Sequence, residues 1–393
     1  MLIASLRAYD GPLSPGSSSP AGGQQPTIYD VARAAGVSIA SVSRVLNGHR
    51  NPRQETRDRV LAAVHELGFV PDGAARALSG RLKEVVGVVF RRVPWSESAD
   101  GMIAITEEDE SLQFTDVINR GIEVAAQRRG FNLIIGSVDV EGHDAHRRVM
   151  MMARKCDGLI LHDQVLEPPR LAQLSRQVPV VTMAGVATQT TANVRSDNGT
   201  GMTELARHLI RDHGYQTLAY LAGHADSPDN LARRLALAEA AASAGVRFVE
   251  GPRWQGNYLA SGGVRAMRSL LMAKAELPHA IVCANDQTAL GVIHELARHG
   301  IDVPGDVAVT GFDDIPLARH LRPRLTTVRQ PIQDLGATAF EVLRSMIAAR
   351  ARDGHVAAER DVVLATTIVR RESCGCQPDG SQDSIPDHPA TGR

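Results

Sequence analysis

The sequence predicts two structural classes in one chain: a small all-α helix-turn-helix domain, then an α/β domain of two doubly wound parallel-sheet lobes. Three observations lead there. Residues 27–81 carry short amphipathic helical patterns and no strand-like run. From residue 84 onward, apolar β-branched runs alternate with amphipathic stretches, the pattern of parallel sheets covered by helices on both faces. The runs Val85–Phe90, Phe131–Val138, Gly158–His162, Val180–Met183, Leu218–Ala222, Ala280–Cys283 and Val307–Gly311 make many βα units for one sheet, so two lobes are expected.

The helical segment begins with Thr27 and Asp30 at capping-box spacing, Asp taking the place of the usual Glu. Ile28, Val31 and Ala32 follow as an apolar stripe, Gly36 breaks the helix, and Ser38 is placed to cap a second one that turns Val42, Val45 and Leu46 inward. Ala32, Gly36 and Val42 have the spacing of two helices crossing at a sharp angle: a small residue at the crossing, a glycine for the positive φ of the turn, a branched residue locking the pair. The outer face then carries Ile39, Ala40, Ser43, Arg44 and Asn47, which suit base edges and phosphates. Eight arginines against five acidic residues give residues 27–81 a charge of +3, although the whole chain nets −1. A modestly basic surface is what phosphate neutralisation needs. Spacing by itself also suits a three-helix bundle that docks another protein.

Among the α/β patterns, Thr200–Asp212 places Met202, Leu205, Leu209 and Ile210 on one helical face. Both ends of the chain read differently. Residues 1–26, containing GPLSPGSSSPAGG, and the tail 374–393 are rich in Pro, Gly and Ser and are expected to be disordered. Cys156, Cys283, Cys374 and Cys376 are too few and scattered for a disulfide framework. Cys374-Gly-Cys376 lies in the polar tail with no second pair, so neither a metal site nor a cofactor is expected. His143-Asp144-Ala145-His146 reads as the solvated start of a polar helix. No apolar run reaches bilayer length, and the opening MLIASLRAYD is short and polar for a signal peptide. The expectation is a cytoplasmic protein with no membrane partner. Absent a nucleophile–base pattern, phosphate loop or nicotinamide fingerprint, an enzyme is not expected.

TIYDVARAAGVSIASVSRVLNG, continued by ETRDRVLAAVHELGFVPDGAARALSG, resembles the DNA-binding signature of the lactose-repressor (LacI/GalR) family of bacterial transcription factors, and the likeness extends over about residues 27 to 373. The resemblance implies a helix-turn-helix domain over 27–72 whose recognition helix runs from Ser38 to Asn47. Ile39 and Ala40 would hold the specificity positions, Arg44 would contact a base edge, and Tyr29, Ser41, Ser43 and Asn47 would position the phosphate backbone. Ser41 stands where the family mostly has Thr and keeps a hydroxyl. Ile39 and Ala40 are apolar, which leaves them thymine methyl groups to read. Residues 73–83 resemble the family's hinge helix and linker, with Leu78 as the minor-groove lever.

VCANDQTALG (282–291) and the stretch TGFDDIPLARHLRPRLTTVRQPIQDLGATAFEVL (310–343) resemble the family's effector-binding core, a periplasmic-binding-protein-like pair of lobes over 84–373. The implied division is an N-lobe of about 84–194 plus 304–331 and a C-lobe of about 195–303 plus 332–373. Asp286 would accept hydrogen bonds from ligand hydroxyls, Arg233 would grip the ligand from the opposite side, Tyr258 would stack on it, and Phe114 would add an aromatic contact. Ala184 stands where the family often has an acidic residue, and an insertion at about 91–111 brings Trp95 to the border of the cleft. Asp286 as a helix cap and Arg233 as a surface charge are the plainer readings of each alone.

The implied function is a transcriptional repressor, a homodimer on a near-palindromic double-stranded DNA operator, controlled by a small-molecule effector of sugar-like chemistry. No leucine follows Glu372, so a tetramer-forming repeat is not expected. The alternative, a solute-binding protein of a transport system, fits poorly with a fused basic helical domain.

Overall fold

The computed structural model describes residues 26–46, 52–69, 82–91, 112–139, 144–162, 164–354 and 360–377. The expected hinge helix with Leu78, together with Asn47, Trp95 and His143, lies outside them. The chain divides into two compact units, residues 1–81 and 82–393.

The first unit contains α1 (Ile28–Ala35), α2 (Ile39–Leu46) and α3 (Gln54–Leu67). The Asp30 carboxylate accepts hydrogen bonds from the Thr27 backbone N–H (2.9 Å) and hydroxyl (2.6 Å), which closes the start of α1 and holds that carboxyl below its usual range. Gly36 ends the helix at φ 63°, and the Val37 N–H reaches back to the Ala32 carbonyl. The three helices enclose a small core of Val31, Ala32, Ala35, Val42, Val45, Val60 and Ala63. Arg59 of α3 fastens the turn, donating from Nη2 to the carbonyls of Ala35 and Gly36. Its role was not legible from local pattern, because Arg59 lies 23 residues from Gly36.

The second unit holds two parallel sheets. The larger is built from β1 (Val85–Arg91), β2 (Asn132–Val138), β3 (Gly158–His162), β4 (Val180–Met183), β5 (Ala192–Ser196) and β11 (Asp361–Leu364), in the order β11-β5-β4-β3-β1-β2. Helix α4 (Leu112–Arg128) and the long α11 (Ile332–Asp353) cover one face, while α5 (Ala145–Ala153) and α6 (Pro168–Ser175) cover the other. The smaller sheet runs β7-β6-β8-β9 from β6 (Thr217–Leu221), β7 (Arg247–Val249), β8 (Ala280–Cys283) and β9 (Ala308–Thr310). Its faces carry α7 (Asn198–Arg207), α8 (Pro228–Ser243), α9 (Ala260–Met272) and α10 (Asp286–Arg298). Three crossovers join the lobes, after β5, after β10 (Thr327–Arg329) and between β11 and β12 (Thr367–Val369); β10 and β12 pair antiparallel. No helix among the described residues is long and apolar enough to cross a membrane.

The division into lobes differs from the sequence expectation. Residues 304–331 were expected in the N-lobe, but β9 hydrogen-bonds to β8 in the smaller sheet, with Ile281 opposite Val309. Residues 332–373 were expected in the C-lobe, yet α11 packs on the larger sheet, where Phe340 meets Phe131 edge-on at 5.6 Å, and β11 extends that sheet beside β5. The reason is apolar fit at long range: Leu335, Ala339, Phe340 and Leu343 form a face that only the α4 side of the larger lobe covers. The tail also differs at its start. Ser373 and Cys374 are buried and Cys376 is half-buried, so order extends past the expected boundary, and the cysteine pair lies against His208 and His213.

Replacing Arg59 by Ala removes both donors from the helix-turn-helix corner. The expected loss is about 1–3 kcal/mol in the first unit, read as faster amide exchange in α1 and α2 with the second unit unchanged. Identical exchange in the two proteins would show that the anchor is idle.

Candidate functional sites

In the helical unit, Ser38 begins α2: its Oγ accepts from the Ser41 N–H at 3.2 Å and lies 3.0 Å from the Ser41 hydroxyl. With Val42 and Val45 committed to the core, the helix must turn its other residues outward. Ile39, Ala40 and Arg44 are exposed, and Ser41 and Ser43 are half-buried beside them. Ile39 is 41% exposed and Tyr29, on α1, 64%. Two large apolar side chains are thus left in solvent. The structure brings Ser38, Ile39, Ala40, Ser41, Ser43 and Arg44 together on one helix.

In the second unit, polar groups gather where the strands of a doubly wound sheet deliver them, just beyond their carboxyl ends. Arg233, on α8, is 3% exposed. Its Nε donates to Asn198 Oδ1 (2.8 Å) and its Nη1 to the Ala284 carbonyl (2.6 Å), and its guanidinium lies 3.8 Å above the Phe312 ring. Carboxylates of Asp229 and Asp313 stand 3.6 and 4.0 Å away. This is a braced cation, held with its charge answered from two sides.

The Tyr258 hydroxyl is 3.1 Å from Ser227 Oγ, and its ring meets His224 edge-on at 5.4 Å. From the larger lobe, Phe114 and Phe90 flank His162, their ring centres 5.9 and 5.5 Å from it. Burial pushes His162 down to about 4, against the opposing pull of Asp229, so the ring is neutral at physiological pH. Arg91, at the end of β1, and Asp226 form an ion pair across the lobes at 2.7 Å. Asp226 is largely exposed there, so the pair is weak and salt-sensitive.

Asp286 does not take the place expected of it. It is fully buried, with Oδ1 accepting from the Thr327 hydroxyl (2.5 Å) and Oδ2 from the Ile315 N–H (2.9 Å). Its neighbour Asn285 caps α10, accepting from the Thr288 N–H at 3.0 Å. The carboxylate thus joins α10 to the crossover strand β10 rather than lining the cleft. The acid nearest Arg233 from this side is Asp313, pushed by burial up to about 7 against the pull of Arg233. Asn198, Asp229, Asp313 and His162 were missed in the sequence. Their common signal, a polar residue at or just past a strand end or in the first turn of the helix that follows, is too frequent to single them out.

Residues 27–72 match the family described as bacterial regulatory proteins, lacI family, and residues 206–374 match a periplasmic binding protein-like domain. The HTH-type transcriptional regulator GalR of Escherichia coli (strain K12) is 32% identical over 354 residues, covering 88% of this chain and 95% of that one. A lac repressor dimer bound to operator and the anti-inducer ONPF superposes with a TM-score of 0.74 at 25% identity, over 89% of this chain and 99% of its own. The transcriptional regulator CelR in complex with cellobiose gives a TM-score of 0.61 at 28% identity, over 88% of this chain and 99% of its own.

A histidine held neutral by burial ties stability to pH. The unfolded imidazole takes up a proton below about pH 6.5, which the folded one refuses until near 4, so the stability present above that range falls as pH drops through it. Melting of wild type and His162→Gln at about pH 7 and about pH 5 is expected to show the smaller acid loss in the variant. Equal losses would remove His162 as the cause.

Proposed function

Since the chain belongs to the lacI family of bacterial regulatory proteins, and is a DNA-binding transcriptional regulator with a ligand-binding domain, we propose that it is a repressor acting as a homodimer on a near-palindromic operator. The α2 helix enters the major groove, and a small polyhydroxylated molecule in the cleft sets its affinity. The observation that carries the reading is the outward face of α2, where Ile39, Ala40 and Arg44 are exposed while Val42 and Val45 fill the core.

Each side chain has a physical role in this reading. Arg44 donates to a base edge, Ile39 and Ala40 meet thymine methyls, and Ser41, Ser43 and Tyr29 donate to phosphate oxygens. In the cleft, Arg233, Asn198, Asp229 and Asp313 offer both donors and acceptors, as a ring of hydroxyls requires. Phe90, Phe114 and His162 supply a facing aromatic wall for its C–H surface. The cellobiose bound in the CelR complex supports the same chemistry for this cleft. The effector shifts operator affinity only in proportion to its unequal binding to the two lobe arrangements. A site of action on DNA places the protein in the cytoplasm, and a catalytic role has no part in this reading.

Arg44→Ala is expected to cost about 1–3 kcal/mol in binding its own promoter fragment and to relax specificity at one base step; an unchanged affinity and footprint would dismiss α2 as the reading helix. For the cleft, a melting screen of sugars, sugar acids and nucleosides is expected to give a hit that raises the transition of the second unit. That shift should vanish in Asp229→Asn. A hit that survives in this variant would place the ligand elsewhere, leaving the DNA-binding result untouched.

A further inference from the structure

The smaller lobe carries a second cluster of reactive side chains, on the edge of the core beneath β6 and β9, which neither DNA binding nor the cleft uses. It is assembled from two segments more than 160 residues apart in sequence, His208 with His213 and Cys374 with Cys376. Helix α7 ends by widening into a π turn over His208–Asp212. Residues five apart on a regular α-helix point about 140° away from each other. A turn closed by i→i+5 hydrogen bonds brings them to one side, a distortion that recurs at functional sites. Here it sets the two Nε2 atoms 3.1 Å apart, with the rings at 85°. At the other segment, Gly375 takes φ 97°, which a side chain would resist, and folds the chain so that both thiols face those nitrogens.

The distances have a definite pattern. His208 Nε2 lies 3.4 Å from Cys374 Sγ and 3.4 Å from Cys376 Sγ, and His213 Nε2 lies 3.5 Å from Cys376 Sγ. All four donor atoms fall within 4.8 Å of one another. Around one zinc ion, bonds of about 2.0–2.1 Å to nitrogen and about 2.3 Å to sulfur place tetrahedral ligands roughly 3.3–3.8 Å apart. Hydrogen bonding explains the grouping poorly. His208 Nδ1 is 2.8 Å from the Asp212 carboxylate, which cannot donate when ionised, so the ring proton sits on Nδ1 and Nε2 offers one in-plane lone pair. Three other donor atoms crowd that lone pair, and one at most can satisfy it. The same Asp212 contact is what a zinc-ligating imidazole characteristically receives from its outer shell.

We propose that His208, His213, Cys374 and Cys376 form a structural zinc site that fastens the segment after β12 to the smaller lobe. Two thiolates and two neutral imidazoles balance the charge of a divalent cation, and a soft, tetrahedral N2S2 set favours zinc over the hard, oxygen-seeking cations. Four protein ligands leave no open position, so the role is structural. The surroundings are built for it. Tyr215 stacks on His213 at 5.4 Å and donates its hydroxyl to the Cys374 carbonyl (2.9 Å), and the Ser373 hydroxyl donates to the Val309 carbonyl of β9 (2.6 Å). Binding releases the thiol protons, and its free energy becomes folding free energy of the lobe.

The test uses the untagged full-length chain, purified under reducing conditions without chelator. Elemental analysis is expected to find about one zinc per chain. Cobalt(II) in its place should give the intense visible bands of a tetrahedral ion and thiolate charge transfer in the near ultraviolet. Cys376→Ser and His213→Gln, both at half-buried positions, should each lose the metal and the chelator-induced drop in melting temperature seen in wild type. Reduced wild-type protein that takes up neither zinc nor cobalt overturns the proposal, as does a Cys374–Cys376 disulfide in protein isolated under reducing conditions. A Cys376→Ser chain that keeps a full equivalent places the metal elsewhere and overturns it equally.

Discussion

The architecture of the effector unit depends on how two adjacent carboxylates, Asp313 and Asp314, are held at the end of β9. Both sit at positive φ, 126° and 58°, a strain that non-glycine residues accept only when their surroundings compel it. Compulsion comes from opposite charge on two sides. Asp314 receives Arg371 at 2.7 Å and Arg329 at 2.6 Å, both from the crossover segments. Asp313 turns the other way, accepting from Gln330 at 2.5 Å and facing Arg233. Removing one partner from such a buried set would strand a charge at a cost of about 3–5 kcal/mol, so the dipeptide fixes the crossovers and the buried Arg233 together.

This arrangement connects Arg233 to the crossover segments. Asp313 faces Arg233, while its neighbour Asp314 is ion-paired with Arg329 and Arg371 of the crossover segments. Ser196 and Gln330, on two different crossovers, are hydrogen-bonded at 2.5 Å, which ties those strands to each other. Arg91 and Asp226 add an ion pair between the lobes, weakened by the exposure of its carboxylate.

The helical unit follows a different economy. Among the described residues its core contains seven buried apolar side chains, and it still leaves Ile39 and Tyr29 in solvent. A domain this small keeps its shape through caps and anchors: the Thr27–Asp30 closure, the left-handed Gly36 and the reach of Arg59 across the turn. Those contacts fix the angle between α1 and α2, and with it the direction in which the outer face of α2 points.

What the sequence determined by itself was local. The Thr27, Gly36, Ser38 punctuation and the 3.6-residue stripes specified the helix-turn-helix. Runs such as Val85–Phe90 and Ala280–Cys283 specified strands, and their alternation with helices specified parallel sheets, because period and capping act over a few residues. Tertiary structure decided the rest. It assigned α11 and β11 to the larger lobe, drew Asp286 into a joint with Thr327, put Asp313 in its stead beside Arg233, and set Cys374 and Cys376 against His208 and His213. Each of these is a meeting of segments far apart along the chain, settled by which apolar faces fit and which buried charges find partners. Neither leaves a periodic trace in the residues that take part.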